Sequence, residues 1–444
     1  YGKGQVYDPA KPPGQQITTR PRSYKDIPAG QILSAFAEDA VGIPVEKNLV
    51  KLLAGVRAQS LLGLESGFKM ANRVYFDPRL NIQWIFPAFP FYGKKAEVSL
   101  TGGIGWHTKF PVLLQLYPDP LYYDYVQLNY YHTNPDYRRV NIMTYKNTRN
   151  NNDLTPARNK KWEIGVDFNI NRNRLSVTYF NEALSSGFRS TSGWNQYLYK
   201  KYDYSGIDPN GLTGPPALES MPYSTDTVLQ TYSRMNNGTK LLKQGIEYQF
   251  SSQRIPGLKT RVTINGAWFR TIYKNSEPVL KQTTVLLNNK ELQYIGIYDS
   301  DDGYVKEQFN TNWMFDTYIP EIGFEFSTSV QCMWFTGNKQ EQKPQIPFAY
   351  VDTDGKTYPY TEKSLKDPEL QWLNLSSNSY LYNDRVPIAL HVNFKASKDF
   401  KNKIRLSVFV NRLLDYLPDY TTNGGVVIKR FSSPYFGMEL NFKL

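Results

Sequence analysis

The sequence predicts an all-β protein, an antiparallel up-and-down transmembrane β-barrel to which this chain contributes about fifteen strands. Three observations predict it. Segment after segment alternates apolar and polar residues for about nine to thirteen positions, a length that suits a tilted membrane strand of about 9 to 11 residues better than the soluble mode of about 5 to 6. The connections between these segments alternate short and long. The last eleven residues, Pro434 to Leu444, alternate to the end, with Phe436, Met438, Leu440, Phe442 and Leu444 on one face and Gly437, Glu439, Asn441 and Lys443 on the other.

Composition agrees with this reading. The 444 residues include 34 Tyr, 24 Phe and 8 Trp, with a mean hydropathy of −0.53. They contain no run of about 18 apolar residues, so no helical span is predicted. A membrane barrel escapes such a scan because lipid-facing and lumen-facing residues alternate along each strand. The aromatic load suits girdles at two interfaces or sugar-stacking loops. The net charge of +12 is scattered rather than clustered, and no zinc-finger, helix-turn-helix or RNA-binding pattern occurs, which argues against nucleic acid. Basic residues near a membrane rim would meet anionic lipid headgroups instead. The single cysteine, Cys332, falls among apolar partners on a strand face and reads as a small hydrophobe.

In chain order, residues 1 to 28 are rich in Pro, Gly, Lys and Arg without a period and read as loop. Residues 29 to 39 set Leu33, Ala35 and Ala37 against Ile32, Ser34, Phe36 and Glu38. Residues 48 to 60 set Val50, Leu52, Ala54, Val56 and Ala58 against Lys51, Arg57 and Gln59. Strands follow at 78 to 86, 94 to 107, 123 to 132, 138 to 146, 161 to 170 (Trp162, Ile164, Val166 and Phe168 outward) and 173 to 183. After a gap they resume at 243 to 252, 259 to 271, 308 to 317 and 321 to 336, where Phe324, Phe326, Val330, Cys332 and Trp334 oppose Glu325, Ser327, Ser329 and Gln331. The last three are 386 to 397, 402 to 412 and 434 to 444.

The short connections are 40 to 47, 87 to 93, 133 to 137, 171 to 172, 253 to 258, 318 to 320 and 398 to 401. The long ones are 61 to 77, 108 to 122, 147 to 160, 184 to 242, 272 to 307, 337 to 385 and 413 to 433. In a meander every second connection lies at the same end, so long loops gather on one rim and short turns on the other, as in outer-membrane barrels. Counting back from the final strand gives 29 to 39 the same direction as 434 to 444. An even-stranded barrel then needs an odd number of further strands.

Several stretches together resemble TonB-dependent outer-membrane transporters of the SusC-like branch. KKWEIGVDFNINRNRLSVTYFNE (160 to 182) is similar to their paired strands, NNGTKLLKQGIEYQF (236 to 250) to the strand that follows, and IRLSVFVNRLLDYLPDY (404 to 420) to their penultimate strand. LLAGVRAQS (52 to 60) and FDPRLNIQW (76 to 84) add to the likeness. Tyr435, Gly437, Leu440 and Phe442 resemble the C-terminal signal for barrel assembly. The resemblance implies a barrel of about 22 strands filled by a plug. It implies TonB-dependent import of an oligosaccharide or peptide across the outer membrane of a Gram-negative bacterium, with a SusD-like surface lipoprotein as lid. On this reading 1 to 28 is an extracellular loop and 29 to 444 the C-terminal part of one barrel domain. The plug, through which the TonB complex would act, and the first strands lie outside this sequence.

Enzymatic chemistry has little support. His107, His132 and His391 lack metal-ligand spacing, Gly102 to Gly105 sits inside a strand, and neither a Gly-x-Ser-x-Gly elbow nor a His-Glu-x-x-His helix occurs. Asp299, Asp301 and Asp302, and Asp352 with Asp354, have the oxygen density that calcium uses but lack the distal glutamate of an EF-hand, and solvated turns explain them better. Substrate or lid contacts fall to the aromatics of two long loops, Trp194, Tyr197, Tyr199, Tyr202 and Tyr204 in one and Trp372, Tyr380 and Tyr382 in the other. The same rings would also serve to pack the loops together. A second class stays open, a secreted or surface β-rich carbohydrate-binding protein, for which Asn237-Gly-Thr239 and Asn374-Leu-Ser376 would be glycosylation sequons.

Overall fold

A computed structural model of the chain describes residues 20, 22–288, 290–299, 303–340, 345–375, 383–400 and 404–442. Thirteen strands follow one path through a single sheet in sequence order. They are β1 (Gln31–Val45), β2 (Asn48–Leu62), β3 (Val74–Ile85), β4 (Lys94–Lys109), β5 (Ala157–Ile170), β6 (Asn173–Tyr202) and β7 (Tyr223–Ser251), then β8 (Thr260–Asn275), β9 (Gly303–Ile319), β10 (Phe324–Gln340), β11 (Ala389–Phe400), β12 (Ile404–Tyr416) and β13 (Tyr435–Phe442). Short pieces at Phe89–Phe91 and Asn383–Val386 pair with β4 and β10 and bring the sheet to 15 strands. Each successive pair is antiparallel, as a meander requires.

Two adjacent cross-strand rows explain why the sheet forms. From β4 to β12, Ser99, Asp167, Ser176, Gln249, Asn265, Asn312, Gln331, His391 and Asp415 stand opposite one another in turn, and all are polar. The next row is Val98, Phe168, Leu175, Phe250, Ile264, Trp313, Val330, Val392 and Leu414, all apolar. A slip of one residue at any strand would swap its faces, so the pattern fixes the register. Large apolar side chains on the second face stay exposed, among them Ile164 at 57% and Leu80 at 46%. That face is the one that meets lipid.

The connections 46–47, 86–93, 171–172, 252–259, 320–323 and 401–403 alternate with 63–73, 110–156, 203–222, 276–302, 341–388 and 417–434. The two-residue turn of Asn171 and Arg172 has both residues at positive φ (46° and 68°), the type I′ geometry that matches strand twist. Aromatic rings belt the short-turn rim, including Trp84 stacked on Phe86 and Phe324 stacked on Phe326.

Three sequence expectations are corrected. Segments 123 to 132 and 138 to 146 are not wall strands; Leu121–Tyr130 and Arg139–Asn147 pair only with each other, inside the connection from β4 to β5. Their tyrosine-rich faces pack on another hairpin instead of lipid, so 133 to 137 belongs to the long-loop rim. The stretch 184 to 242 is not a plain loop, because β6 and β7 continue through it for 30 and 29 residues. Above the lipid both faces are mostly polar or aromatic, and the period-2 apolar signal disappears although pairing continues. Loops 272 to 307 and 337 to 385 jointly build a four-stranded sheet from Val279–Gln282, Ile295–Tyr298, Ala349–Val351 and Thr357–Pro359. The sheet's fifteen strands are therefore thirteen main ones and two short pieces, and the number along the main path stays odd.

Candidate functional site at the long-loop rim

At about 3.3 Å per residue, the 30 residues of β6 extend on the order of 100 Å, several times the roughly 25 Å apolar band of an outer-membrane barrel. The upper part of the β6–β7 hairpin therefore stands outside the membrane. Register shifts around Asn236, Thr239 and Leu241 separate it from the wall below. Asn237 locks this junction: its side-chain oxygen accepts the Thr155 N–H at 2.9 Å, and its amide donates to the carbonyls of Thr155 and Ser186, both at 2.8 Å. With its amide so engaged, the sequon at Asn237 is a structural joint, which takes away one support for a glycosylated binding protein. Beside the joint Leu61, Phe68, Met70, Phe110, Leu116, Tyr117 and Leu154 are buried together, with Phe188 and Met235 packed against them. The rim has its own core.

The first group of candidate aromatics lies within this packed architecture. Tyr199 stacks on Tyr125 at 5.0 Å, Tyr197 on Tyr145 at 4.6 Å, and Tyr145 donates its hydroxyl to the Leu198 carbonyl at 2.5 Å. Burial pushes the Tyr123 hydroxyl up to about 12, with Tyr197 adding to it. Burial, then the carboxylate of Asp226, does the same to Tyr199, also to about 12. Tyr202 packs against Leu128, Tyr130 and Met221, and Trp194 against Leu229, Ile295 and Val351. Tyr204 meets Tyr130 edge-on at 5.7 Å and remains 47% exposed, as does Trp372. Tyr380 and Tyr382 lie outside the described residues. Sequence reasoning missed Tyr131, which is 72% exposed with the Arg138 guanidinium 4.4 Å over its ring. Its position at the tip of a loop hairpin was hidden once that hairpin was read as wall.

The acidic candidates divide similarly. Asp301 and Asp302 lie outside the described residues, while Asp299 follows the strand Ile295–Tyr298. Asp352 and Asp354 sit in the turn between Ala349–Val351 and Thr357–Pro359 and accept hydrogen bonds within it. Asp352 takes the Thr353 hydroxyl at 3.0 Å, and Asp354 the Lys356 N–H at 2.8 Å and the Tyr358 hydroxyl at 2.5 Å. Among the described residues no group of three His, Cys, Asp or Glu side chains is placed to hold a metal.

Below the rim several carboxylates of the polar face have close partners. Asp167 meets Arg174 at 3.1 Å, Glu163 meets Lys161 at 2.8 Å, Glu325 meets Arg405, and Asp415 meets His391 at 2.7 Å. Glu163, Asp167 and Arg174 also line a concavity of about 670 Å³ with Lys51 and Asn81. In β13, a Cβ on Gly437 would lie 2.6 Å from the Phe409 ring, so the glycine of the assembly signal lets that ring cross the strand. Tyr435, Leu440 and Phe442 of the signal are exposed on the opposite edge strand of the sheet from β1.

A sheet with one polar and one apolar face, long connections on one rim and short turns on the other defines a transmembrane β-barrel wall. Residues 1–186 match the family model described as TonB dependent receptor-like, beta-barrel, a family of receptors and transporters of the Gram-negative outer membrane, and the outer membrane is the location of this chain. The fold is also similar to the siderophore receptor PirA from Acinetobacter baumannii, at 13% identity and a TM-score of 0.38, over 86% of this chain and 50% of that one. The chain thus spans about half the length of that receptor. No curated protein matches the sequence.

Proposed function

We propose that residues 29 to 444 form the C-terminal part of one barrel domain whose whole carries out TonB-dependent active import of a large solute, an oligosaccharide or peptide. It works in the SusC-like manner, with a SusD-like surface lipoprotein closing over the long-loop rim and the TonB complex acting through a plug outside these residues. The observation that carries this reading is the rim itself, a set of packed hairpins that presents Tyr131, Tyr204, Tyr223 and Trp372 to solvent. Aromatic rings with polar tips suit stacking on sugars and docking of a partner. Of the extracellular loop expected over 1 to 28, residues 1 to 19 and 21 lie outside the described residues, and the ion pairs of Arg20 with Asp124 and of Arg22 with Asp119 at the rim support that placement for the rest. With thirteen strands β1 and β13 run the same way, so a barrel of about 22 strands needs about nine more.

Uptake of the nutrient by cells carrying the full-length protein tests the proposal. It should stop when TonB is removed, and also when 191 to 234 is excised so that the hairpin closes at the Ser190 and Met235 pair. Uptake that survives both changes contradicts it.

A further inference from the structure

Transport leaves one groove on the outside of the sheet without a role. Three rows on β8, β9 and β10 climb toward the long-loop rim. The first is Trp268, Phe309 and Phe335, and the second is Arg270, Glu307 and Gly337, with Arg385 opposite Gly337. The third is Ile272, Val305 and Lys339. Register places them outward, because Trp268 opposes Ile246, which opposes Tyr179 and through it Ile164, and both isoleucines are exposed. The apolar band thus ends on an aromatic row and turns cationic one row higher.

The groove between these rows encloses about 540 Å³. Arg270, Lys339 and Arg385 line it and are exposed, and among the described residues none of the three forms an ion pair with a carboxylate. Its two acidic groups are engaged: Glu307 accepts the Trp268 indole N–H at 2.8 Å, and Asp384 accepts the Asn423 N–H at 2.8 Å. Arg385 is held 3.9 Å over the Phe335 ring, a member of the aromatic row on which the apolar band ends. Gly337 leaves the floor open, since a Cβ there would approach nothing closer than 4.0 Å.

Guanidinium forks beside an ammonium suit phosphate, and the neighbouring rings suit acyl chains. We propose that this groove binds a phosphorylated lipid of the outer leaflet, with the phosphate between Arg270, Lys339 and Arg385 and the acyl chains against Trp268 and Phe309. This rests on the long-loop rim being extracellular. Labelling of an epitope placed in 203 to 222 on intact cells checks that orientation independently.

The test is binding of lipid A, with and without its phosphates, to the full-length protein purified in detergent. The intact protein should prefer the phosphorylated form. Changing Arg270, Lys339 and Arg385 together to Gln should weaken that binding by roughly a hundredfold, about fivefold for each cation, while heat-modifiable migration on gels stays normal. Equal binding of the dephosphorylated lipid by the unmodified protein would overturn the proposal whether or not the variant folds. So would undiminished binding by the folded variant, or displacement by inorganic phosphate at the concentration of the lipid, which would indicate a site for the free anion.

Discussion

Thr108 gives Asp77 two hydrogen bonds, its backbone N–H to Oδ2 at 2.9 Å and its hydroxyl to Oδ1 at 2.6 Å. Gln59 adds a third to Oδ2 at 2.7 Å, so one buried carboxylate ties β2, β3 and β4 together below the rim. Replacing Asp77 by Ala leaves these donors without their acceptor and should lower stability by about 3 kcal/mol. The readout is the temperature at which the folded, fast-migrating band is lost. An unchanged midpoint would remove Asp77 from this role.

The tyrosine cluster sets an alkaline limit on the rim. The ordinary phenol titrates near 10, whereas Tyr123 and Tyr199 are pushed up to about 12 by burial. Their folded values lie above the unfolded one, so the stabilisation is complete below about pH 10 and is lost as pH rises through about 12. Absorbance of tyrosinate should show a late-titrating group, and the near-ultraviolet circular dichroism of the rim should collapse over the same interval. A single titration near 10 without structural change would contradict this.

The hydroxyl of Tyr125 is buried in that cluster with no hydrogen-bond partner among the described residues. Tyr125→Phe removes a desolvated polar atom and keeps the ring stacked on Tyr199. Stability should be unchanged or slightly raised, read from the same thermal midpoint; a loss above about 1 kcal/mol would mean that the hydroxyl does have a partner.

The wall was legible in the sequence because lipid on one side and a polar lumen on the other impose a strict period of two, as in Trp162, Ile164 and Val166 against Glu163 and Asp167. The rim was not. Where water replaces lipid, strands such as 187 to 202 pair through backbone hydrogen bonds while their side chains answer to neighbouring hairpins. The sequence then shows many tyrosines and no period. For the same reason Tyr197 and Tyr199 were visible as candidates, but their packing against Tyr125 and Tyr145 depends on contacts some 50 to 75 residues away. The register of β8 with β9 and β10, which assembles the outer groove, is equally non-local.

Charge on the two faces should have unequal effects. Val166 stands on the lipid face between Leu100 and Val177, and Val166→Arg should cost about 2 to 4 kcal/mol or prevent assembly. Gln249→Arg, on the polar row between Ser176 and Asn265, should be nearly neutral. Asp167 and Glu325 are poor controls because an arginine there would face Arg174 or Arg405. Equal amounts of folded protein from both variants would contradict the assignment of faces.

The central claim is that one face of this sheet lies in lipid and the other does not, and quenching by brominated acyl chains tests it most directly. In full-length protein with Cys332 replaced by Ala, a fluorophore on a cysteine at Leu175 or Phe250 of the apolar row should be strongly quenched. The same fluorophore at Ser176 or Gln249, one residue away on the polar row, should be spared. Alternation of quenching along β6 and β7 is the predicted result, and equal quenching at all four positions, or none at any, would contradict the barrel.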